Sequence, residues 1–101
     1  MRFGIEEKYW SIINDVFARH PHVHQVVLYG SRAKGTNKRF SDVDITLKGP
    51  DIDWRDLLSV SSQLEESTLP YIFDVSLFKT LKNEALIDHI NRRGITIYER
   101  C

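Results

Sequence analysis

Cysteine, long apolar runs and an excess of charge of either sign are all lacking in this sequence. Its 101 residues include one cysteine, Cys101, which excludes an internal disulfide and a multi-cysteine metal site. No stretch approaches the roughly 18 consecutive apolar residues of a membrane-spanning helix. Fourteen basic residues balance fourteen acidic ones, so no overall positive charge draws the protein to nucleic acid. We therefore expect neither a membrane nor nucleic acid as a direct partner.

Length and the first residues bear on domain organisation and compartment. The chain is long enough for one ordinary domain, so we predict a single domain over residues 1–101. The opening segment MRFGIEEKYW carries acidic side chains where a secretory signal has a basic and then an apolar region. Together with the scarcity of cysteine, this predicts a cytoplasmic protein.

Hydrophobic periodicity predicts seven main elements in the order helix, strand, strand, helix, strand, helix, strand. The predicted helices cover residues 5–19, 54–65 and 81–93. The predicted strands cover residues 23–29, 42–47, 71–78 and 95–98. Asp51 or Asp53 is expected to cap the second helix, and Gly94 to end the third in a left-handed conformation. This order predicts one compact domain of the α/β (α+β) class.

Asp42 and Asp44 stand two positions apart in DVDITL, where polar and apolar residues alternate as they do in a strand. Residues two apart in a strand point to the same face, so both carboxylates share a face while Val43 points into the core. Two carboxylates this close repel each other and, unless protonated, need a cation such as Mg²⁺. The pair therefore predicts a metal site.

Gly30 and Ser31 follow the first strand and precede a segment that can begin a short helix. Backbone N–H groups at such a helix start bind phosphate, glycine permits close approach of the backbone, and the serine hydroxyl can donate to a phosphate oxygen. Basic side chains able to offset triphosphate charge are clustered here: Arg32, Lys34, Lys38 and Arg39. The segment is thus a candidate phosphate site.

Asp74 is the only charged residue of the third predicted strand, YIFDVSLF. An unpaired charge buried in an apolar strand would cost several kcal/mol, so we expect a compensating group. Two interpretations stay open. Asp74 either pairs with a nearby Arg or Lys, or completes a cluster of three carboxylates with Asp42 and Asp44.

Gly30-Ser31, ten intervening residues and then Asp42-Val43-Asp44 resemble the signature of the DNA polymerase beta-like nucleotidyltransferase superfamily. Asp74 lies where that superfamily's third carboxylate is expected. The segments GSRAKG and SDVDI look most similar to the minimal nucleotidyltransferase (MNT) family of bacteria and archaea. The resemblance spans nearly the whole chain.

This resemblance implies a mixed, twisted sheet of about four strands, flanked by helices, with the three aspartates on one exposed face. It implies transfer of a nucleoside monophosphate, AMP from ATP, to an acceptor hydroxyl with the help of two Mg²⁺ ions. The implied catalytic and metal-binding residues are Asp42, Asp44 and Asp74. The implied nucleotide-binding residues are Gly30, Ser31, Arg32 and Lys34.

Partners are also implied by the resemblance. MNT proteins are commonly paired with a small helical HEPN-domain protein, and in some toxin–antitoxin pairs the transferase adds AMP to a tyrosine of a HEPN ribonuclease. A HEPN partner is therefore expected, within a homo- or hetero-oligomer. Two alternatives stay open: a non-catalytic nucleotide-binding antitoxin or assembly subunit that neutralises its partner by contact, and transfer to a small molecule such as an antibiotic.

Two further patterns in the sequence are weaker evidence of a functional site. Gly30–Gly35 fits the first half of a P-loop, but Thr36 and Asn37 stand where lysine and serine or threonine are needed. Three alternating histidines could gather a transition metal in an extended backbone, but no carboxylate or cysteine lies close in sequence. A solvated loop is therefore expected for His20, His22 and His24.

Overall fold

The computed structural model describes residues 2–35 and 42–100. Its helices are α1 (Glu7–Ala18), α2 (Ser31–Lys34), α3 (Trp54–Glu66) and α4 (Glu84–Arg93). Its strands are β1 (Gln25–Tyr29), β2 (Val43–Lys48), β3 (Phe73–Leu77) and β4 (Ile95–Glu99), with a 3₁₀ turn at Phe78–Thr80. All seven predicted elements are present. Across this described part of the chain, no helix has the length and apolar character needed to cross a membrane.

The four strands form one mixed sheet in the order β3-β2-β1-β4. β1 pairs antiparallel with both β2 and β4, whereas β2 and β3 run parallel. The parallel pair is possible because α3 carries the chain back to the start of β3. The predicted mixed α/β architecture of four strands flanked by helices is therefore confirmed.

Alternation along the two central strands separates two apolar layers. Val26 and Leu28 of β1, with Ile45 and Leu47 of β2, belong to the main core against α1 and α3. Val27 and Tyr29 point to the opposite face, where they pack with Ile90 of α4. Val43 is buried in the main core as predicted. Asp44 and Thr46 therefore belong to the α4 face of the sheet.

Helix α3 begins with a reciprocal cap. The Asp53 carboxylate accepts hydrogen bonds from the backbone N–H groups of Arg55 at 2.9 Å and Asp56 at 3.4 Å. In return, the Asp56 carboxylate accepts from the Asp53 N–H at 2.9 Å. Of the two candidates, Asp53 is thus the capping residue. This arrangement satisfies backbone donors that the first turn of a helix leaves unpaired.

Gly94 ends α4, but not in the left-handed conformation predicted for it. Its φ of −66° and ψ of 148° are extended, so the prediction of a left-handed cap is wrong. The need for glycine is steric instead, because a Cβ here would meet the Ile90 carbonyl oxygen and the Val27 side chain. The absent side chain lets the chain turn tightly from α4 into β4.

Candidate active site

A row of three polar side chains crosses the sheet at the end of β1. Tyr29 pairs with Asp44 of β2, and Asp44 pairs in turn with Asp74 of β3. Because paired residues on neighbouring strands point to the same face, all three lie on the α4 face. Asp42 immediately precedes β2 and is exposed. The register thus brings carboxylates from two separate segments to one edge of the sheet, the edge formed by the end of β1 and the starts of β2 and β3.

Asp44 is the half-buried member of this group. Burial raises the pKa of its carboxyl, and repulsion from Asp74 and Asp42 raises it further, while Arg32 acts in the opposite direction. The raised pKa of Asp44 therefore reflects its burial first and then the negative charge of its two neighbours. Such a group favours binding of a cation.

Asp74 is exposed, and this corrects the expectation of a buried charge. β3 is an edge strand, and most of its residues are only partly covered. Because the carboxylate remains solvated, it has no need of a compensating group. The Asp74 side chain is therefore accessible beside Asp44 without the cost inferred from the apolar strand.

The Gly30–Ser31 turn lies directly against this row. Gly30 has φ +78° and ψ −153°, a conformation largely reserved for glycine, and a Cβ there would collide with the Asp44 carboxylate. Its N–H donates to Nε2 of His89 at 3.3 Å, which ties the turn to α4. Ser31 then begins α2, as predicted for a short helix.

The predicted basic cluster is divided by the structure. Arg32 is only 2% exposed, its Nη1 donates to the Phe3 carbonyl at 2.9 Å, and its guanidinium stacks on the Tyr71 ring. Burial lowers its pKa, while Tyr71, Asp42 and Asp44 raise it. Lys34, in contrast, is exposed. Lys38 and Arg39 lie outside the described residues.

The donor set matches a hard divalent cation. Asp42, Asp44 and Asp74 offer carboxylate oxygens, the ligands that Mg²⁺ takes in proteins. Among residues 2–35 and 42–100, however, no three His, Cys, Asp or Glu side chains gather closely enough to hold a metal ion. Mutual repulsion favours such separation of the carboxylates. The chemistry of these residues therefore fits the ion, although their side chains do not form a closed cluster.

Three residues near the carboxylates were not singled out from the sequence. Tyr29 is 8% exposed, and burial raises the pKa of its hydroxyl, as do Asp44 and Asp74, whereas a hydrogen bond with Ser76 lowers it. His89 reaches Gly30 from α4 and packs edge-on against Tyr29. Strand pairing would have placed Tyr29 here. No local signal in the sequence marks His89 or Ser76.

The three alternating histidines have separate environments. His20 is buried, with Nδ1 2.7 Å from the Val16 carbonyl oxygen and Nε2 2.9 Å from the Ser59 hydroxyl. His22 pairs with Asp56 at 3.0 Å, and His24 is exposed. The expectation of a solvated loop is therefore wrong for His20, which helps to join α1 to α3.

A family model described as "Polymerase beta, Nucleotidyltransferase" matches residues 12–101 of the chain. That range includes every residue of the candidate site. The search of curated proteins, in contrast, found no match.

Several solved structures share the fold. One, from a toxin–antitoxin complex with AMP-PNP, is 21% identical, with a TM-score of 0.73 over 94% of this chain and 75% of that one. Another, from an MntA–HpeT complex with two aspartates two positions apart changed to glutamate, is 17% identical, with a TM-score of 0.71 over 90% and 73%. A third, from a tri-AMPylated Shewanella oneidensis HEPN toxin with its MNT antitoxin, is 16% identical, with a TM-score of 0.60 over 93% and 72%. At these identities the likeness is one of fold.

Proposed function

The chain belongs to the polymerase beta nucleotidyltransferase family, and from this we propose that it transfers AMP from ATP to a hydroxyl group of a partner protein. The main support is the juxtaposition at one sheet edge. Asp44 and Asp74 are paired in register, Asp42 precedes them, and the Gly30–Ser31 turn lies against Asp44. Acidic groups for cations thus stand beside a turn suited to phosphate, which is what transfer of a nucleotide requires.

The nucleotide and the acceptor need different parts of this edge. Ser31 donates its hydroxyl to a phosphate oxygen, and Gly30 lets the phosphate chain approach the backbone closely. Asp42, Asp44 and Asp74 would hold two Mg²⁺ ions, which supply charge neutralisation and lower the pKa of the attacking hydroxyl. Arg32, which is buried, offsets part of the charge of Asp44.

The transfer forms one bond and breaks one. The acceptor oxygen attacks the α-phosphorus in line, and the bond from that phosphorus to the bridging oxygen breaks, so that pyrophosphate leaves. Asp74 is exposed at the edge and can accept the hydroxyl proton through one of its carboxylate oxygens. The chain therefore orients both reactants and removes the proton, and no covalent enzyme intermediate is needed.

A HEPN-domain protein is the proposed acceptor, with a tyrosine hydroxyl as the attacking group. Support comes from the structures of similar fold, which include an MNT antitoxin bound to a tri-AMPylated HEPN toxin. The AMP-PNP present in another of these complexes favours ATP as donor.

The experiment is to incubate the chain with α-labelled ATP, Mg²⁺ and a HEPN-domain protein from the same genome. Label should appear on the HEPN protein, and the double variant Asp42→Asn/Asp44→Asn should lose essentially all of it, because both cation-binding carboxylates are gone. Asp51→Asn/Asp53→Asn is the matched control. It makes the same change at the same spacing away from the site, and Asn caps a helix as well as Asp does.

Full labelling by the Asp42→Asn/Asp44→Asn variant would refute the assignment of these residues. A second measurement tests neutralisation by contact alone. If the variant transfers no AMP yet still suppresses the toxicity of the HEPN protein in cells, then contact and not transfer is the biological activity.

A further inference from the structure

A basic cleft lies beside the Gly30–Ser31 turn, on the side away from the carboxylates. It has a volume of about 720 Å³, and its polar lining consists of Lys34 from α2 with His89, Arg92 and Arg93 from α4. The described residues contribute no acidic side chain to this lining. In a chain whose net charge is zero, this concentration of positive charge is local.

The cleft and the carboxylates share one edge of the sheet. Ile95, which lines the cleft, stands at the start of β4 and pairs with Leu28 near the end of β1. On the other side of β1, Asp44 of β2 pairs with Tyr29, the last residue of β1. Since neighbouring strands are about 4.8 Å apart, β2 and β4 are separated by about 10 Å. The edge therefore presents, in order, Asp74, Asp44, the Gly30–Ser31 turn and the cleft.

The cations of the cleft are largely uncommitted. Arg92 pairs with Asp88 at 3.0 Å, but both side chains are exposed, and such a pair is weak. Within the described part of the chain, no ion pair engages Lys34 or Arg93. Nε2 of His89 accepts the Gly30 N–H, so a neutral ring carries its proton on Nδ1 as a donor. The described lining of the cleft thus offers several hydrogen-bond donors and no carboxylate.

Resting on the proposed function, we propose that this cleft holds the terminal phosphates of the nucleoside triphosphate and so stabilises departing pyrophosphate. The triphosphate then runs along the edge from the carboxylates, over Gly30–Ser31, to the last turn of α4. Arg32 cannot supply this charge at the surface, because it is buried against Phe3 and Tyr71. Lys34 and Arg93 take that role, while His89 positions the turn.

The test uses the intact protein without metal, titrated calorimetrically with inorganic tripolyphosphate, ATP and AMP. Arg93→Ala should weaken binding of tripolyphosphate and ATP about tenfold, as expected for the loss of one charged hydrogen-bonding partner, and leave AMP binding unchanged. Lys82→Ala removes an equal charge from an exposed position before α4 and should change none of the three affinities. Because Arg93 is exposed, its replacement leaves the core intact.

A phosphate carried by the acceptor is the other source of the same chemistry. A tyrosine peptide bearing one AMP is therefore titrated in the presence of saturating ATP. If Arg93→Ala weakens binding of this peptide but not of tripolyphosphate, the assignment to the terminal phosphates is overturned. It is likewise overturned if wild-type protein does not bind tripolyphosphate, or if Arg93→Ala binds it as wild type does.

The two proposals can fail separately. Arg93-dependent binding of tripolyphosphate without any transfer of AMP to a protein would retain the phosphate cleft and remove the proposed function. Transfer of AMP with tripolyphosphate affinity independent of Arg93 would retain the function and remove the cleft.

Discussion

Asp44 lies near two other carboxylates and is partly withdrawn from water, which makes its charge unfavourable for folding. Because its pKa is raised in the folded state, that state binds a proton more tightly than the unfolded chain does. The free energy of unfolding therefore falls as the pH rises through the carboxyl range. The residue is retained at a cost to stability, as is common where charge serves binding.

Asp44→Asn should accordingly stabilise the metal-free protein at neutral pH. The gain should be at most about 1 kcal/mol, because the carboxylate is partly solvated. Thermal unfolding in EDTA measures it, and the advantage over wild type should shrink as the pH is lowered toward the range in which Asp44 is protonated. Lower stability of the variant at neutral pH would contradict this account.

Gly30→Ala should be strongly destabilising, for two separable reasons. The backbone conformation is unfavourable for a residue with a side chain, and the new Cβ would collide with the Asp44 carboxylate. Together these should cost about 2–4 kcal/mol in chemical denaturation. Transfer of AMP should be lost as well.

Gly35→Ala is the matched control for this change. Gly35 also has a positive φ, of 77°, but a Cβ there meets nothing within 4 Å among the described residues. Its replacement should therefore cost only the backbone term, about 1–2 kcal/mol. Equal losses for the two variants would argue against the close contact between Gly30 and Asp44.

Residue identity alone did not separate inward-facing from outward-facing cations. Arg32 and Lys34 are two positions apart in a short helix, and both were predicted to bind nucleotide. The fold buries Arg32 against the Phe3 carbonyl and the Tyr71 ring, and leaves Lys34 in solvent. A helix of four residues is too short for periodicity to indicate which side it buries.

At the scale of elements, the reciprocal cap of α3 allows a direct measurement. Asp53→Ala removes the acceptor for two backbone N–H groups and should lower the free energy of unfolding by about 1 kcal/mol. Asp51→Ala is the control, because Asp51 is exposed and Asp53 is the observed cap. Urea denaturation of the two variants compares them, and equal stabilities would refute the capping role.

The same cap predicts a dependence on pH with the opposite sign to that of Asp44. Burial raises the pKa of Asp56, but its hydrogen bonds with the Asp53 N–H and the His22 ring bring the pKa below the ordinary value. The resulting stabilisation is present at neutral pH and is lost as the pH falls through the carboxyl range.

Helices with a long apolar period were predicted well. The exposure of residues was predicted poorly where it depends on which strands pair. α1 and α3 were recognisable because their apolar residues repeat over several turns. β3 was taken for a buried strand, but its place at the edge of the sheet exposes Asp74. Strand order depends on contacts between distant segments, which local periodicity does not contain.

At the scale of the whole molecule, a chain that forms one domain should unfold in a single cooperative transition. Trp10 is 3% exposed in the main core, whereas Trp54 is 62% exposed, so Trp54→Phe leaves Trp10 as the fluorescent reporter of the core. Its midpoint on heating should coincide with the midpoint from far-ultraviolet circular dichroism. Two separate midpoints would show that the chain does not unfold as one unit.

Sequence alone was sufficient for the elements and their order, because periodicity is a local property, and the spacing of the motif gave the residues whose chemistry is proposed above. It predicted Asp42 and Asp44 on one strand, whereas β2 begins at Val43 and Asp42 lies immediately before it, and it placed Gly30–Ser31 at the end of another strand. Only the tertiary structure decided that Asp74 is solvated, that Arg32 is buried, and that α4 brings His89, Arg92 and Arg93 beside the turn. These outcomes depend on strand register and helix docking, which are determined by the packing of the whole core and not by any one segment.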